Sequence, residues 1–187
     1  MANLVAGTGN ISADTLNNTG TLQSKGSGNL NIGTAFSNSG TTVVAGNLTV
    51  RGNDSAYSVN NSGRLESLST LDIKGQNAGQ GVTVTVGNAG VLKGQTLLLN
   101  SQSLTVEGNA NQGGMVNTSG VMALNVGQLK LDGSKSRIVA GTGNSSIDVD
   151  SAFSNSGAVF AAGNLSFTAN AITNTTTGAI AAGGDLT

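Results

Sequence analysis

The chain has 187 residues, a formal net charge of -1 and a composition in which Gly, Asn, Ser and Thr make up about half of the residues. It contains no His, Cys, Pro or Trp, which excludes zinc fingers, iron–sulfur sites, thiol nucleophiles, Ser-His-Asp triads and disulfide frameworks. Eight basic residues provide no charge pattern for nucleic acid. The composition therefore favours a protein that is not an enzyme and has no cofactor, metal or small-molecule substrate.

Along the chain, apolar residues recur at every second position in short runs, and Gly and Asn separate these runs. This is the periodicity of β-strands, and no window has the i, i+3, i+4 spacing of an amphipathic helix. The first half of a repeating unit is an apolar residue, Asn, Gly and a second apolar residue, each separated by one position. It occurs as Leu16-x-Asn18-x-Gly20-x-Leu22, Val59-x-Asn61-x-Gly63-x-Leu65, Val86-x-Asn88-x-Gly90-x-Leu92 and Phe153-x-Asn155-x-Gly157-x-Val159.

The second half of the unit is Leu followed two positions later by another apolar residue. It occurs as Leu30-x-Ile32, Leu48-x-Val50, Leu71-x-Ile73, Leu129-x-Leu131, Leu165-x-Phe167 and, cut short, as Leu186. Three departures are visible. Thr42 stands where an apolar residue is expected, one extra residue separates Asn117 from Gly120, and two extra residues separate Asn174 from Gly178.

Complete units return after about 20 residues, as between Gly20 and Gly40. A unit of this size cannot bury its own apolar face and has to stack on its neighbours. The sequence therefore predicts an all-β fold, a parallel β-helix (solenoid) of about eight or nine coils with a few loop insertions. The residues expected to point inward are Leu22, Leu48, Val50, Leu65, Leu71, Ile73, Val159, Leu165 and Phe167. The amides of Asn38, Asn61 and Asn155 are expected to hydrogen-bond in a ladder.

The two most similar units are Asn38-Ser39-Gly40 through Val50 and Asn155-Ser156-Gly157 through Phe167, and the segment from Gly178 to Thr187 repeats the pattern. These units resemble the haemagglutinin-type repeat of filamentous haemagglutinin, and they are similar to repeats of contact-dependent growth inhibition exoproteins and other two-partner-secreted adhesins. The resemblance implies a right-handed β-helix, exported unfolded by a dedicated outer-membrane transporter and displayed as a filament.

On this interpretation, residues 1–187 form a single β-helical segment, an internal fragment of a much larger protein. It would be the shaft of a secreted or surface-displayed exoprotein and would contact host or neighbouring cells only through other domains. Because an open coil exposes unpaired backbone groups, the isolated segment is expected to associate end to end or to aggregate.

Several motifs have alternative interpretations. Gly7-x-Gly9 and Gly141-x-Gly143 resemble part of a phosphate-binding loop but lack its remaining residues, which favours coil corners. Asp185 after two glycines resembles the start of a calcium-binding repeat that occurs only once here. The carboxylates of Asp72, Asp148 and Asp150 could form a catalytic pair or a calcium cluster, but no basic partner is evident and surface charge is favoured.

Two further possibilities concern the surface. Thr41, Thr42, Thr49, Thr83 and Thr85 raise the possibility of an ice-binding array, but the neighbouring coils are expected to carry Gly, Asn, Ser and Leu at that site. Glycosylation acceptor sequences occur at Asn17, Asn47, Asn53, Asn60, Asn117, Asn144, Asn164 and Asn174, and chance explains most of them in a chain of this composition.

The charged segments 51–57 and 132–137 interrupt the repeat and are the segments best placed to contact a partner, although simple tolerated loops are favoured. The principal alternative to a shaft is a carbohydrate-binding or carbohydrate-cleaving β-helix. An acidic and aromatic cluster on one face would favour that alternative, and the sequence contains none.

Overall fold

The computed structural model describes residues 3–52, 56–75 and 81–187, and these residues form 19 β-strands and no helix. Nine strands form one sheet, here called the short-strand sheet: β1 (Asn3–Ala6), β3 (Thr21–Ser24), β5 (Thr41–Val44), β8 (Arg64–Ser67), β11 (Val91–Gly94), β13 (Met115–Thr118), β15 (Arg137–Ala140), β17 (Ala158–Ala161) and β19 (Ala179–Ala182). Each strand pairs in parallel with the next one in this order.

Ten strands form the other sheet, here called the long-strand sheet: β2 (Gly9–Asn18), β4 (Gly28–Asn38), β6 (Leu48–Gly52), β7 (Tyr57–Asn61), β9 (Thr70–Lys74), β10 (Val82–Val86), β12 (Thr96–Glu107), β14 (Met122–Asp132), β16 (Ser145–Asn155) and β18 (Leu165–Asn174). They occupy eight levels, because β6 and β7 share one level and β9 and β10 share another. The chain alternates between the two sheets and climbs one level per coil. The predicted parallel β-solenoid is thus confirmed.

The core lies between the two sheets and consists of apolar columns that run along the stack. Of the nine residues predicted to point inward, seven are buried: Leu48, Val50, Leu65, Leu71, Ile73, Val159 and Leu165. Leu22 and Phe167 are only partly buried because they lie near the two ends, where fewer coils cover them. Phe167 packs against the ring of Phe153, with 4.8 Å between ring centroids.

The predicted asparagine ladder is present at the corner that follows the long-strand sheet. Nδ2 of Asn18 donates to Oδ1 of Asn38 at 2.8 Å, and Nδ2 of Asn38 donates to Oδ1 of Asn61 at 2.7 Å. Near the other end, Nδ2 of Asn155 donates to Oδ1 of Asn174 at 2.8 Å. The amides therefore satisfy one another in a corner where Asn38, Asn61 and Asn155 are almost completely buried.

The departure at Thr42 is explained by this ladder. Thr42 pairs with Leu22 and Leu65 in the short-strand sheet and is buried. Its hydroxyl accepts from Nδ2 of Asn18 at 3.2 Å and donates to Oδ1 of Asn38 at 3.3 Å. A polar side chain is tolerated in an apolar column because both of its hydrogen-bonding functions are used.

The repeat pattern placed Asn88 at the same position of its coil as Asn61. This prediction is wrong, because it is Val86 that pairs with Asn61. Two extra residues follow Val86 and form a turn closed by the hydrogen bond from the Gly90 N–H to the Gly87 carbonyl, with Ala89 in the left-handed region at φ 67°. The ladder is therefore interrupted in the middle coils, where Val86, Val106 and Leu131 fill its place.

Other assignments of the repeat are also displaced. Leu30 pairs with Val50, and it is Gly28 that stands opposite Leu48, so the Leu30 unit is shifted by two residues. Leu129 pairs with Phe153 and so belongs to the first half of a unit, not the second. Asn117 lies in β13 opposite Lys93, on the other sheet from the ladder. The two-residue shift of Leu30 preserves the direction of its side chain, because a shift of two positions in a strand keeps the same face. Asn117, in contrast, lies on the outward face of β13, between the buried Val116 and Thr118.

Candidate functional site

Segment 51–57 is anchored at both of its described ends, and residues 53–55 lie outside the described part of the chain. Nε of Arg51 donates to Oδ1 of Asn31 on the preceding coil at 2.6 Å. Tyr57 is buried, and its hydroxyl lies 3.1 Å from the carbonyl oxygen of Val50 and 3.0 Å from that of Lys74. Burial, assisted by the charge of Asp72, raises the pKa of the Tyr57 hydroxyl far above its ordinary value. The Tyr57 hydroxyl therefore contacts backbone carbonyl groups of two successive coils inside the protein.

Segment 132–137 is a compact turn. Gly133 has φ +104°, a left-handed conformation that favours glycine. The Ser136 hydroxyl is buried and donates to the Gly133 carbonyl at 2.7 Å, while Arg137 donates to the carbonyl oxygens of Ser134 and Ser136. Asp132 pairs with Lys130 at 2.9 Å. The charges of Asp132 and Arg137 are thus engaged in local contacts.

A second excursion, at residues 107–114, lies against this turn, and the sequence analysis missed it. Gly108 and Gly113 form an antiparallel bridge, and the side chain of Asn109 accepts hydrogen bonds from the N–H groups of Asn111 and Gln112. The excursion touches the turn so closely that a Cβ at Gly113 would overlap the carbonyl oxygen of Lys135. The glycines at 108, 113 and 114 are the sequence feature that could have predicted this excursion. Together, residues 107–114 and 132–137 are called the loop pair below.

An ion-pair cluster lies on the outer face of the short-strand sheet. The Glu66 carboxylate is 2% exposed and pairs with Nη2 of Arg64 on its own strand and, at 3.1 Å, with Nζ of Lys93 on the next coil. Burial acts to raise the pKa of Glu66, but hydrogen bonds from Lys93 and Arg64 outweigh it and hold the pKa below its ordinary value. The carboxylate is therefore committed to the ion pairs at neutral pH, a role that contributes to stability.

The three acidic residues considered for catalysis are not brought together. Asp148 and Asp150 are exposed on either side of the buried Val149, as predicted. Asp72 lies three levels away in the stack and pairs with Nζ of Lys74 at 2.5 Å, so the expectation that it has no basic partner is wrong. Among the described residues, no group of three or more acidic side chains is arranged to hold a metal ion.

The threonine array is interrupted. Thr83 pairs with Ser58 and Ser103, and Thr85 pairs with Asn60 and Thr105. The neighbouring coils thus carry Ser, Asn and Thr, whereas Gly and Leu had also been expected. Thr41 and Thr49 lie on different sheets from each other, and Thr42 points inward. These threonines do not form one flat surface.

The glycine-rich motifs occupy corners between the sheets. Gly7 lies between β1 and β2, and Gly141 and Gly143 lie between β15 and β16. Gly141 hydrogen-bonds to both neighbouring coils through its N–H and its carbonyl. Asp185 is stacked on Asn164, whose side-chain oxygen accepts its N–H at 2.9 Å. The corner interpretation is confirmed for Gly7, Gly141 and Gly143 and is wrong for Gly9, which lies in β2 and pairs with Gly28 of β4.

Of the eight glycosylation acceptor sequences named above, Asn53 lies outside the described residues and Asn117 is half-buried. The other six are exposed: Asn17, Asn47, Asn60, Asn144, Asn164 and Asn174. Asn17 and Asn60 border a shallow groove of about 520 Å³ beside the ladder, here called the polar groove, which is lined by Asn, Ser, Thr and Gly with Glu107 at one side. The polar groove offers amide and hydroxyl groups at its first three coils and the Thr85 hydroxyl at the fourth, and no aromatic residue lines it.

No protein-family description, curated protein or solved structure matches the chain. None of the described residues belongs to a helix long and apolar enough to cross a membrane.

Proposed function

We propose that the chain is a structural shaft: part of the β-helical stick of a large secreted or surface-displayed bacterial exoprotein, of the adhesin or contact-dependent growth inhibition type. It has no catalysis of its own and holds a distal functional domain away from the cell. Contacts with host or neighbouring cells belong to that distal domain.

The observation that carries this proposal is the continuity of the columns along the stack. The column that begins with Ile11 continues through Leu30, Val50, Ile73, Leu99, Leu124, Ile147 and Phe167 without leaving the core. Seven steps of about 4.8 Å separate the first and last levels, so the column spans about 34 Å. Such a stack holds its two ends at a fixed distance from each other, which is what a spacer requires.

Local folding supports the proposed route of export through an outer-membrane two-partner transporter. Each coil is closed by parallel pairing with the coils directly before and after it, so folding can propagate coil by coil as the chain emerges. The chain has no Cys, and no disulfide has to be broken for it to cross a membrane unfolded. The mature protein would then be located outside the cell or on its surface.

The proposal is tested by inserting the 187-residue chain into the shaft of a two-partner-secreted exoprotein, between its transporter-recognition region and a distal epitope. We expect the epitope to be displayed on intact cells. The matched controls are Leu165→Asp, which places a charge in the core, and Ser166→Asp, which places the same charge on the surface. Retention of the epitope inside the cell with the parent chain, or equal display with both variants, would contradict the proposal.

A second candidate, binding of neutral carbohydrate, is favoured by the polar groove. Its side chains recur at the coil spacing and present both donors and acceptors, with the Glu107 carboxylate beside them. The two candidates separate in a polysaccharide co-sedimentation and depolymerisation assay. A shaft neither binds nor cleaves, whereas a carbohydrate-binding protein is retained and loses that retention in Glu107→Gln.

A further inference from the structure

The outer face of the short-strand sheet carries a surplus of positive charge. On β8, β11, β13, β15 and β17, which belong to the fourth to eighth coils, the described outward side chains include three cations, Arg64, Lys93 and Arg137, and one carboxylate, Glu66. Glu66 is shared between Arg64 and Lys93, so one of these two charges is not neutralised. Among the described residues, the Arg137 guanidinium donates only to backbone carbonyl groups. We call these outward side chains the cationic face.

The outer face of the long-strand sheet carries a surplus of negative charge on the same coils. It is formed by the outward side chains of β9 and of the first halves of β12, β14, β16 and β18, which lie in register with β9. Its described charged residues are one cation, Lys74, and three carboxylates, Asp72, Asp148 and Asp150. Asp72 pairs with Lys74, but Asp148 and Asp150 are exposed and have no ion pair among the described residues. We call these outward side chains the anionic face.

Apolar and charged residues follow the same order along both faces. On the cationic face, one outward column contains, on the fifth, sixth and seventh coils, Val91, Met115 and Arg137. On the anionic face, the outward residues of these coils include Leu98, Ala123 and Asp148. Val91 and Met115 are partly exposed, and Leu98 is 38% exposed. Each face therefore presents apolar side chains on two coils and a charge on the next, and the two charges are opposite in sign.

We propose that copies of this chain associate side by side and in the same direction, with the cationic face of one copy against the anionic face of the next. The two faces have the same spacing of about 4.8 Å per coil, because they belong to one stack. Turning a copy about its stack axis and moving it sideways therefore brings each coil opposite the coil of the same number. In this arrangement, Leu98 packs against Val91 and Met115 of the next copy, and Asp148 lies opposite Arg137 of the next copy.

The charges favour this register over its neighbours. If one copy slips by a coil, Arg137 faces a coil of the anionic face that has no charge. The outward residues of these two coils, the sixth and the eighth, are Ala123, Asn125, Ser166 and Thr168. Charge complementarity therefore fixes the register, while burial of the apolar side chains contributes about 25 cal/mol per Å² of surface removed from water.

Because the two faces differ, the contact is heterologous. In a pair of copies, one cationic face and one anionic face stay free, so further copies can add in the same way. The expected product is a bundle of parallel shafts. The contact depends on the fifth to seventh coils, and further coils above or below them leave it unchanged.

Sedimentation velocity over a wide range of concentration provides the first test. Asn125 and Gln128 are both exposed on β14, but only Asn125 belongs to the anionic face. We expect Asn125→Lys to weaken association by about tenfold or more, because it places a cation opposite Met115 and close to Arg137 of the next copy. The matched control Gln128→Lys should leave association unchanged. A parent chain that stays monomeric throughout, or equal association of both variants, would overturn the proposal.

Exchange of the two charges provides the second test. Arg137→Glu places two carboxylates opposite each other in its own oligomers, and Asp148→Lys places two cations opposite each other. We expect each variant alone to associate more weakly than the parent, and an equal mixture of the two to recover association, because the new carboxylate then faces the new ammonium group. A mixture that associates no more tightly than the separate variants would overturn the proposal. If Arg137→Glu does not fold, as judged by circular dichroism, Asn125→Lys and the exposed variant Asp148→Lys decide instead.

Cross-linking checks which coils lie opposite each other. The chain has no Cys, and the sixth coil carries Met115 on the cationic face and Ala123 on the anionic face. Under mild oxidation, a mixture of Met115→Cys and Ala123→Cys chains should form the mixed dimer in preference to either homodimer. The control is Asn29→Cys, four coils earlier in the column of Ala123, which should not cross-link to Met115→Cys. Preferred homodimers of Met115→Cys, or equal cross-linking of this variant to Asn29→Cys, would contradict the proposed contact.

Discussion

Nδ2 of Asn38 lies 2.7 Å from Oδ1 of Asn61, although 23 residues separate them in the chain. The same Nδ2 also donates to the carbonyl oxygen of Arg64 at 3.0 Å. The side chain thus closes a corner of the next coil as well as bonding to its equivalent, and it does so with 1% of its surface exposed. A ladder of this kind joins successive coils through polar contacts that only the correct stacking satisfies.

Removing one amide from the ladder should therefore destabilise the fold. Asn155 donates to Asn174 and to the Ala179 carbonyl, and it accepts the Gly157 N–H at 3.0 Å. We expect Asn155→Ala to lower the free energy of unfolding by about 1–3 kcal/mol, because the buried Gly157 N–H loses its acceptor and Asn174 and the Ala179 carbonyl lose their donor. Urea denaturation measures the change. The control is Asn164→Ala at an exposed corner, and an equally small effect in both would contradict the ladder.

A charge placed in the core should lower the free energy of unfolding by more than the loss of one ladder amide does. Leu165 is 1% exposed and lies between the neighbouring levels of its column, so Leu165→Asp buries a carboxylate with no partner. We expect a loss on the order of 3 kcal/mol or more in the free energy of unfolding. Ser166→Asp places the same charge on the outer face and should have little effect. A Leu165→Asp melting temperature within a degree or two of the parent would show that Leu165 is not a core residue.

The Glu66 ion pairs should make stability depend on pH in the acid range. Since the pKa of Glu66 lies below its ordinary value when folded, its contribution is complete above the unfolded pKa of about 4.3 and is lost as pH falls through the folded pKa. We expect Glu66→Gln to be less stable than the parent at neutral pH and to differ less from it in acid. Chemical denaturation at several pH values checks this, and a stability difference that does not change with pH would contradict it.

Tyr57 gives a prediction for alkaline pH. It is the one tyrosine of the sequence, so the tyrosinate absorbance reports this residue alone. Because burial raises the pKa of its hydroxyl, the unfolded chain loses the proton first, and stability should fall as pH rises above about 10. We expect the hydroxyl to titrate well above that value or together with unfolding, and Asp72→Asn to lower its pKa. A reversible titration near pH 10 in the folded protein would show that the hydroxyl is exposed.

The fold class could be predicted from local features that every coil repeats. These features are the apolar residues at every second position and the Gly and Asn residues that separate the strands. The exact register could not, as Leu30 and Asn88 show. Both were displaced by two positions, a shift that leaves the side chains on the same face and therefore leaves the hydrophobic pattern unchanged. Only the pairing of complete coils distinguishes the two registers.

The surface features were harder to predict, because they depend on contacts between residues that are far apart in the sequence. Glu66 looks like an ordinary surface charge in the sequence, and it is buried because Lys93, 27 positions later, lies beside it in the next coil. The loop pair was only half predicted, since segment 132–137 carries charges that draw attention, whereas its neighbour at 107–114 carries mostly Gly, Asn and Gln. The places of Gly9 and Gly28 in an apolar column of the long-strand sheet were missed because glycine was interpreted only as a corner residue.

If the chain is a regular stack of parallel coils, as the proposed spacer role requires, the distances between residues on different levels are fixed. Ser12, Asn100 and Thr168 lie exposed on the same outward column of the long-strand sheet, at its first, fifth and eighth levels. Since the chain has no Cys, pairs of cysteines at these positions can carry spin labels for pulsed dipolar spectroscopy. We expect narrow distributions centred at about 34 Å for the 12/168 pair and about 14 Å for the 100/168 pair, at about 4.8 Å per level. Broad distributions, or separations that do not increase in proportion to the number of levels, would contradict it.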